Sequence, residues 1–187
     1  MTKEHLVCPW RAGPILTASI RRRVHDPQRI MAPYLSDGMI AMDIGCGMGF
    51  FTLPMSEMVG DNGNVIAVDM QEKMLDGLKK NAEKIDADNV TLHQCTQNSL
   101  RIEKWNGTID FILIFWVLHE VPDPIRLIHE LQAALSPSGR LLFVEPFMHV
   151  SNTKFQKSID MITESGFIIV DTPKISMSRT ALLTPKG

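Results

Sequence analysis

Asp43 and three alternating glycines, Gly45, Gly47 and Gly49, lie together in "AMDIGCGMGFFTLP", and a second acid, Asp69, closes the next apolar run. Glycine tolerates positive φ and has no Cβ, so a ligand can lie directly against a backbone built from it. Cys46 sits inside this loop and reads as a small side chain tolerated between glycines rather than a redox group. His119 and Glu120 follow a later apolar run, where an imidazole of near-neutral pKa could take a proton from an oxygen or nitrogen nucleophile. A packing or turn-forming role for the pair stays open, and His149 is a further candidate base. The chemistry on offer is ligand capture by a bare backbone bend and two carboxylates, beside an acid–base group.

Bringing these residues together requires a particular order of elements. "MIAMDI" (39–44) predicts a buried strand, and "FFTLPMSEMV" (50–59) a helix opening straight after the glycines. "NVIAVD" (64–69) predicts a second strand, and Leu75, Leu78, Ala82 and Ile85 recur at helical spacing behind it. "NVTLHQ" (89–94) and the wholly apolar "IDFILIFWV" (109–117) supply strands three and four, the latter covered on both faces. Asp123-Pro124 opens a helix with Ile128, Leu131 and Leu135 as its stripe, and "RLLFVEP" (140–146) is strand five. A helix over about 152–165 ends at Gly166, and "FIIVDTPKI" and "SRTALLTPK" close the chain as an antiparallel pair. The alternation predicts an α/β fold: a Rossmann-like, doubly wound, mostly parallel seven-stranded sheet with an antiparallel last strand. Residues 1–38 are expected to form a helical cap and residues 39–187 the main domain. One helix of the cap should open at Asp26-Pro27 and end near Ser36-Asp37-Gly38.

Bulk properties remove several classes of function. A net charge of −2 offers no general attraction to nucleic acid. The longest apolar run, Phe111 to Leu118, is far short of the roughly 20 residues that cross a bilayer. Cys8, Cys46 and Cys95 lack metal-ligand spacing and are expected to be free thiols in a reducing, cytoplasmic setting. Met39, Met42, Met48, Met55 and Met58 read as adaptable core filler, and no metal site is expected.

In such sheets a ligand lies beyond the carboxyl ends of the strands, where the first strand turns into the first helix. A dinucleotide would set its pyrophosphate there, but its usual GxGxxG spacing is absent because the sixth position is Phe50. Asp43 also points negative charge at the loop, which opposes a pyrophosphate. S-adenosylmethionine carries an ammonium and a sulfonium and no phosphate, so for that ligand the acid is an asset.

The segments "MDIGCGMGFFT", "NVIAVDM", "IDFILIFWVLHEVPD" and "LSPSGRLLFVEP" resemble class I S-adenosylmethionine-dependent methyltransferases, in particular the small-molecule branch that includes quinone methyltransferases. The resemblance implies that Asp43 and the loop from Gly45 through Cys46 and Gly47 to Gly49 hold the methionine portion of S-adenosylmethionine. It implies that Asp69 binds the ribose diol, that Met70 lies against the adenine, and that Phe115 and Trp116 flank the cofactor. After strand three, where the family usually has an acid near the adenine amino group, this chain has Cys95, then Thr96, Gln97 and Asn98, whose side chains or backbone would have to accept that hydrogen bond.

The expected acceptor is a small, partly apolar molecule, with no nucleic acid partner. The first 31 residues carry six basic against two acidic side chains, a net of +4, so peripheral contact with an anionic membrane is an alternative to a cap over the site. A nicotinamide-dependent oxidoreductase and a non-catalytic cofactor-binding protein remain the competing functions.

Overall fold

A computed structural model describes residues 19–187. Its strands are β1 (Ile40–Ile44), β2 (Asn64–Asp69), β3 (Val90–Gln94), β4 (Ile109–Phe115), β5 (Leu135–Pro146), β6 (Phe167–Asp171) and β7 (Ser178–Pro185). Its helices are α1 (Ser19–Val24), α2 (Pro27–Met31), α3 (Thr52–Val59), α4 (Glu72–Glu83), α5 (Pro124–Ala134) and α6 (Asn152–Glu164), with short 3-10 turns at Glu103–Trp105 and Leu118–Glu120. The strands form one sheet in the order β3-β2-β1-β4-β5-β7-β6. All pairings are parallel except those of β7, which runs antiparallel to both β5 and β6.

Alternation along each strand divides the core between the two sheet faces. Met42, Ile44, Ile112, Ile114 and Phe143 pack with Ile128 and Leu131 of α5 and Ile159 and Ile162 of α6. Ala41, Val65, Phe111, Leu113 and Leu142 pack on the other face with Met55 and Val59 of α3 and with Met31 and Leu35. The segment after α2 is therefore anchored in the same core as the sheet. Local capping fixes where helices begin: Asp26 accepts from the backbone N–H groups of Gln28 and Arg29, Asp123 from Arg126, and Ser151 Oγ from Lys154.

The chain leaves β1 toward β2 on one side and returns to β4 on the other. Register places Asp43 beside Ala67 and Leu113, so the carboxyl ends of β1, β2 and β4 open into one crevice.

Several boundaries differ from the sequence expectation. The helix at Asp26-Pro27 stops at Met31 instead of continuing to 36–38, and α3 begins at Thr52, two residues after the predicted start. Strand four ends at Phe115, because Trp116 adopts φ 64° and turns the chain out of the sheet. Ile85 lies beyond α4 and is 54% exposed. Leu135 belongs to β5, which starts five residues before the predicted "RLLFVEP" and pairs irregularly with β4 between Ile109 and Phe111. Cys8 and the first half of the expected cap lie outside the described residues. No described helix is long and apolar enough to cross a membrane.

Candidate active site

The turn after β1 is held by its own amides. Gly45 and Cys46 N–H both donate to the Val68 carbonyl, at 2.8 and 3.1 Å, and Gly49 N–H donates to the Cys46 carbonyl at 3.0 Å. Gly47 N–H donates to Asp69 Oδ2 at 3.0 Å. All three glycines have positive φ, but their surroundings differ. A Cβ on Gly45 would lie 2.5 Å from Val117 Cγ2, and one on Gly49 would collide with Leu78 and approach Leu53 Cγ at 3.1 Å. Only Gly47, of the three, faces open space. Protein packing therefore excludes a side chain at Gly45 and Gly49, and only at Gly47 is the space above the backbone left for a ligand.

Asp43 is 2% exposed, and its Oδ2 accepts from Thr52 Oγ1 at 2.6 Å. Burial pushes its carboxyl up to about 6, against the opposing hydrogen bond from Thr52. Asp69, at the end of β2, is also buried, and burial raises its pKa. Its Oδ1 accepts from Gln71 N–H at 2.9 Å and its Oδ2 from Gly47 N–H. Burial drives the Cys46 thiol well up and the Cys95 thiol to about 11, so neither is an activated nucleophile.

A cavity of about 380 Å³ opens at these carboxyl ends. Asp43, Gly45, Cys46, Gly47, Asp69 and Met70 line one side of it. Thr96, Gln97 and Asn98 reach it from the turn after β3, where Thr96 N–H and Oγ1 both donate to the Ser99 carbonyl. Phe115, Trp116, His119 and Glu120 complete the opposite wall, and His149 joins them. Gly49 alone of the predicted site residues does not line the cavity.

Four contributors escaped the sequence reading. Arg21 is the one Lys or Arg among the described residues that line the cavity, its guanidinium 4.4 Å from the Phe50 ring centre and 5.8 Å from that of Trp116. His25 is buried, bonded through Nε2 to the Ser176 carbonyl at 2.8 Å, and set edge-on to Phe115 and Trp116. Burial lowers its pKa, which keeps it neutral. Val117 packs over Gly45. Glu145, 1% exposed in β5, accepts from His119 Nδ1 at 2.5 Å. The signal for it was present, since it ends an apolar strand as Asp69 does.

These groups suit one kind of ligand better than another. With the amides of Gly45, Cys46, Gly47 and Gly49 committed within the protein, the bend offers little to a pyrophosphate. Two buried carboxylates, one behind the bend and one at the tip of β2, match a cation and a ribose. The residues thus fit S-adenosylmethionine.

A methyltransferase-domain family profile matches residues 35–177. In sequence the chain is similar to the demethylmenaquinone methyltransferase of Lactococcus lactis, 32% identical over 108 residues, which are 58% of this chain and 42% of that protein. The match to the corresponding protein of Shouchella clausii covers 45% of it, so these relatives are aligned over less than half their length. In structure it is similar to an S-adenosylmethionine-dependent methyltransferase of Aquifex aeolicus, with a TM-score of 0.84 at 22% identity over 95% of this chain and 98% of that one. The fibrillarin of Aeropyrum pernix, solved with natively bound S-adenosyl-L-methionine, gives a TM-score of 0.65 at 13% identity, over 81% of this chain and 68% of that one. The architecture is that of class I S-adenosylmethionine-dependent methyltransferases. This chain belongs to the methyltransferase-domain family.

Proposed function

We propose that the protein transfers a methyl group from S-adenosylmethionine to a small, partly apolar acceptor by in-line displacement. When bound, the cofactor supplies an electrophilic methyl on a sulfonium. The observation that carries the reading is Asp69, a buried carboxylate at the tip of β2 that lines the cavity and is held in place by the backbone N–H groups of Gly47 and Gln71. In this reading Asp69 takes the ribose hydroxyls, with Met70 against the adenine and Thr96, Gln97 and Asn98 at its edge. Asp43, Gly45, Cys46 and Gly47 hold the methionine end. Phe115 and Trp116 exclude water around the reacting centre, where alignment in a dry pocket supplies much of the rate.

The acceptor enters from the side of Trp116, His119, Glu120 and His149, which line the cavity together. The apolar lining from Phe115, Trp116, Val121 and Leu127, and the demethylmenaquinone methyltransferases among its relatives, support a small acceptor over nucleic acid. The basic N-terminal segment is read as a cap over the cavity, with contact to an anionic membrane as its alternative; Arg21 already turns inward over Phe50. The free thiols of Cys46 and Cys95 suit a cytoplasmic setting.

Calorimetric titration with S-adenosylmethionine and with a nicotinamide dinucleotide tests the cofactor role. Preference for the first supports the proposal, and preference for the second overturns it. A screen of cell extract for a metabolite that gains labelled methyl identifies the acceptor, and tight cofactor binding without any labelled product would favour a non-catalytic role.

A further inference from the structure

Glu145 is buried at the end of β5 and makes no contact with the cavity, yet it engages His119 twice. Its Oε2 lies 2.5 Å from His119 Nδ1, and its Oε1 accepts from the His119 backbone N–H at 3.4 Å. A carboxylate only accepts, so the bond fixes the proton on Nδ1 and leaves Nε2 as the acceptor of the neutral ring. Glu145 holds Nδ1 and the ring lines the cavity, so Nε2 is the ring nitrogen left to an acceptor that enters there.

We propose that Glu145 is a positioning residue that orients His119 as the base for an acceptor hydroxyl, so that the acceptor class is a phenol or an enol; this rests on the methyltransferase reading above. A hydroxyl gains nucleophilicity by losing its proton as it attacks, whereas an amine attacks through an existing lone pair and a thioether has no proton to give. The O–H proton passes to Nε2 while the oxygen–methyl bond forms. The sulfur–methyl bond breaks with its electron pair remaining on sulfur, and the imidazolium returns its proton to solvent.

The surroundings favour a ring that is a stronger base than usual. The hydrogen bond that His119 donates to Glu145 raises the His119 pKa against the desolvation that lowers it. Glu145 and Glu120 add to the rise, while Lys154 of α6 opposes it. His149 stands 6.2 Å away, centre to centre, and Arg179 of β7 lies opposite Glu145 in the ladder.

Two measurements test this. The first needs no cofactor or acceptor: His119 is titrated by NMR in the wild type, Glu145→Gln and Glu145→Asp. Its midpoint should fall in Glu145→Gln, which keeps an acceptor oxygen but no charge, and stay high in Glu145→Asp. An unchanged midpoint in Glu145→Gln overturns the proposal. The second follows transfer of labelled methyl to phenols of graded acidity. His119→Ala should lose about 100-fold or more on weakly acidic phenols and far less on those already ionised at the assay pH. In Glu145→Gln the acid limb of kcat/KM should move to lower pH. An equal loss across the series, or no transfer by the wild type to any phenol, overturns the proposal. Calorimetry on the same samples keeps the failures apart, because cofactor affinity tests the methyltransferase reading alone.

Discussion

The backbone N–H of Gly47 donates to Asp69 Oδ2 at 3.0 Å, so the carboxylate that ends β2 also holds the bend that leaves β1. One side chain thereby shapes the floor of the cavity and offers it two oriented oxygens. Asp69→Ala should weaken S-adenosylmethionine binding by about 1–3 kcal/mol, the range for losing a charged acceptor. Asp69→Asn should cost less, since its amide oxygen can still accept from Gly47. Calorimetry decides, and unchanged affinity in the alanine variant would remove Asp69 from the site.

Asp43 carries a burial cost that Thr52 and Arg21 offset in part and that a cationic ligand would relieve further. Its pKa rises on folding from the ordinary 3.8 to about 6, so between those pH values the folded protein holds a proton that the unfolded chain has released. Stability of the ligand-free protein therefore falls as pH rises through this window, by on the order of 3 kcal/mol once the window is passed. Asp43→Asn keeps an oxygen for Thr52 and removes the buried charge. It should melt higher than the wild type at pH 7, match it more closely near pH 4, and bind S-adenosylmethionine more weakly. A variant that melts lower at pH 7 would show that the charge is stabilised by the protein itself.

The elements around the cofactor were legible because their signals are local. A change from strand to helical period around a glycine bend marks β1 and α3, and Asp43 and Asp69 fall at strand ends that apolar runs announce. What stayed hidden depends on which strands become neighbours. Glu145 and His119 are 26 residues apart and meet only because the register sets Phe115 beside Val144. Val117 reaches Gly45 because β4 lies against β1, a placement that no local pattern encodes. Arg21 counted in the sequence only as one of six basic residues in the N-terminal segment, and its turn onto Phe50 is a tertiary choice. The early start of β5 was obscured by Pro137, which breaks the strand period that the sequence reading relied on.

The loop glycines should separate by experiment. Gly49→Ala places a methyl against Leu78 and Leu53 at φ 93°, and both overpacking and the backbone oppose it. It should destabilise the fold by about 1–3 kcal/mol in denaturant unfolding. Gly47→Ala meets no atom within 4 Å, so only its φ of 54° costs stability, about 1 kcal/mol. Its larger effect should be on cofactor affinity. If Gly47→Ala leaves calorimetric affinity intact, the open space above it is not where the ligand lies.

Trp116 holds a left-handed φ of 64° that a bulky residue rarely adopts, at a cost on the order of 1–3 kcal/mol. It is kept there by three contacts: its backbone N–H donates to the Val144 carbonyl at 2.8 Å, its Nε1 donates to Ser178 Oγ at 3.1 Å, and His25 meets its ring edge-on. The bend aims the chain so that Val117 covers Gly45 and His119 reaches Glu145. If the sheet imposes this conformation, truncation should invert the usual preference for alanine over glycine. Trp116→Gly should then be more stable than Trp116→Ala by about 1 kcal/mol, because alanine keeps the strain and glycine does not. Both should bind S-adenosylmethionine more weakly than the wild type, having lost the same aromatic wall. Thermal melts of the pair give the comparison, and a more stable alanine variant would mean that the indole contacts, rather than the sheet, hold the bend.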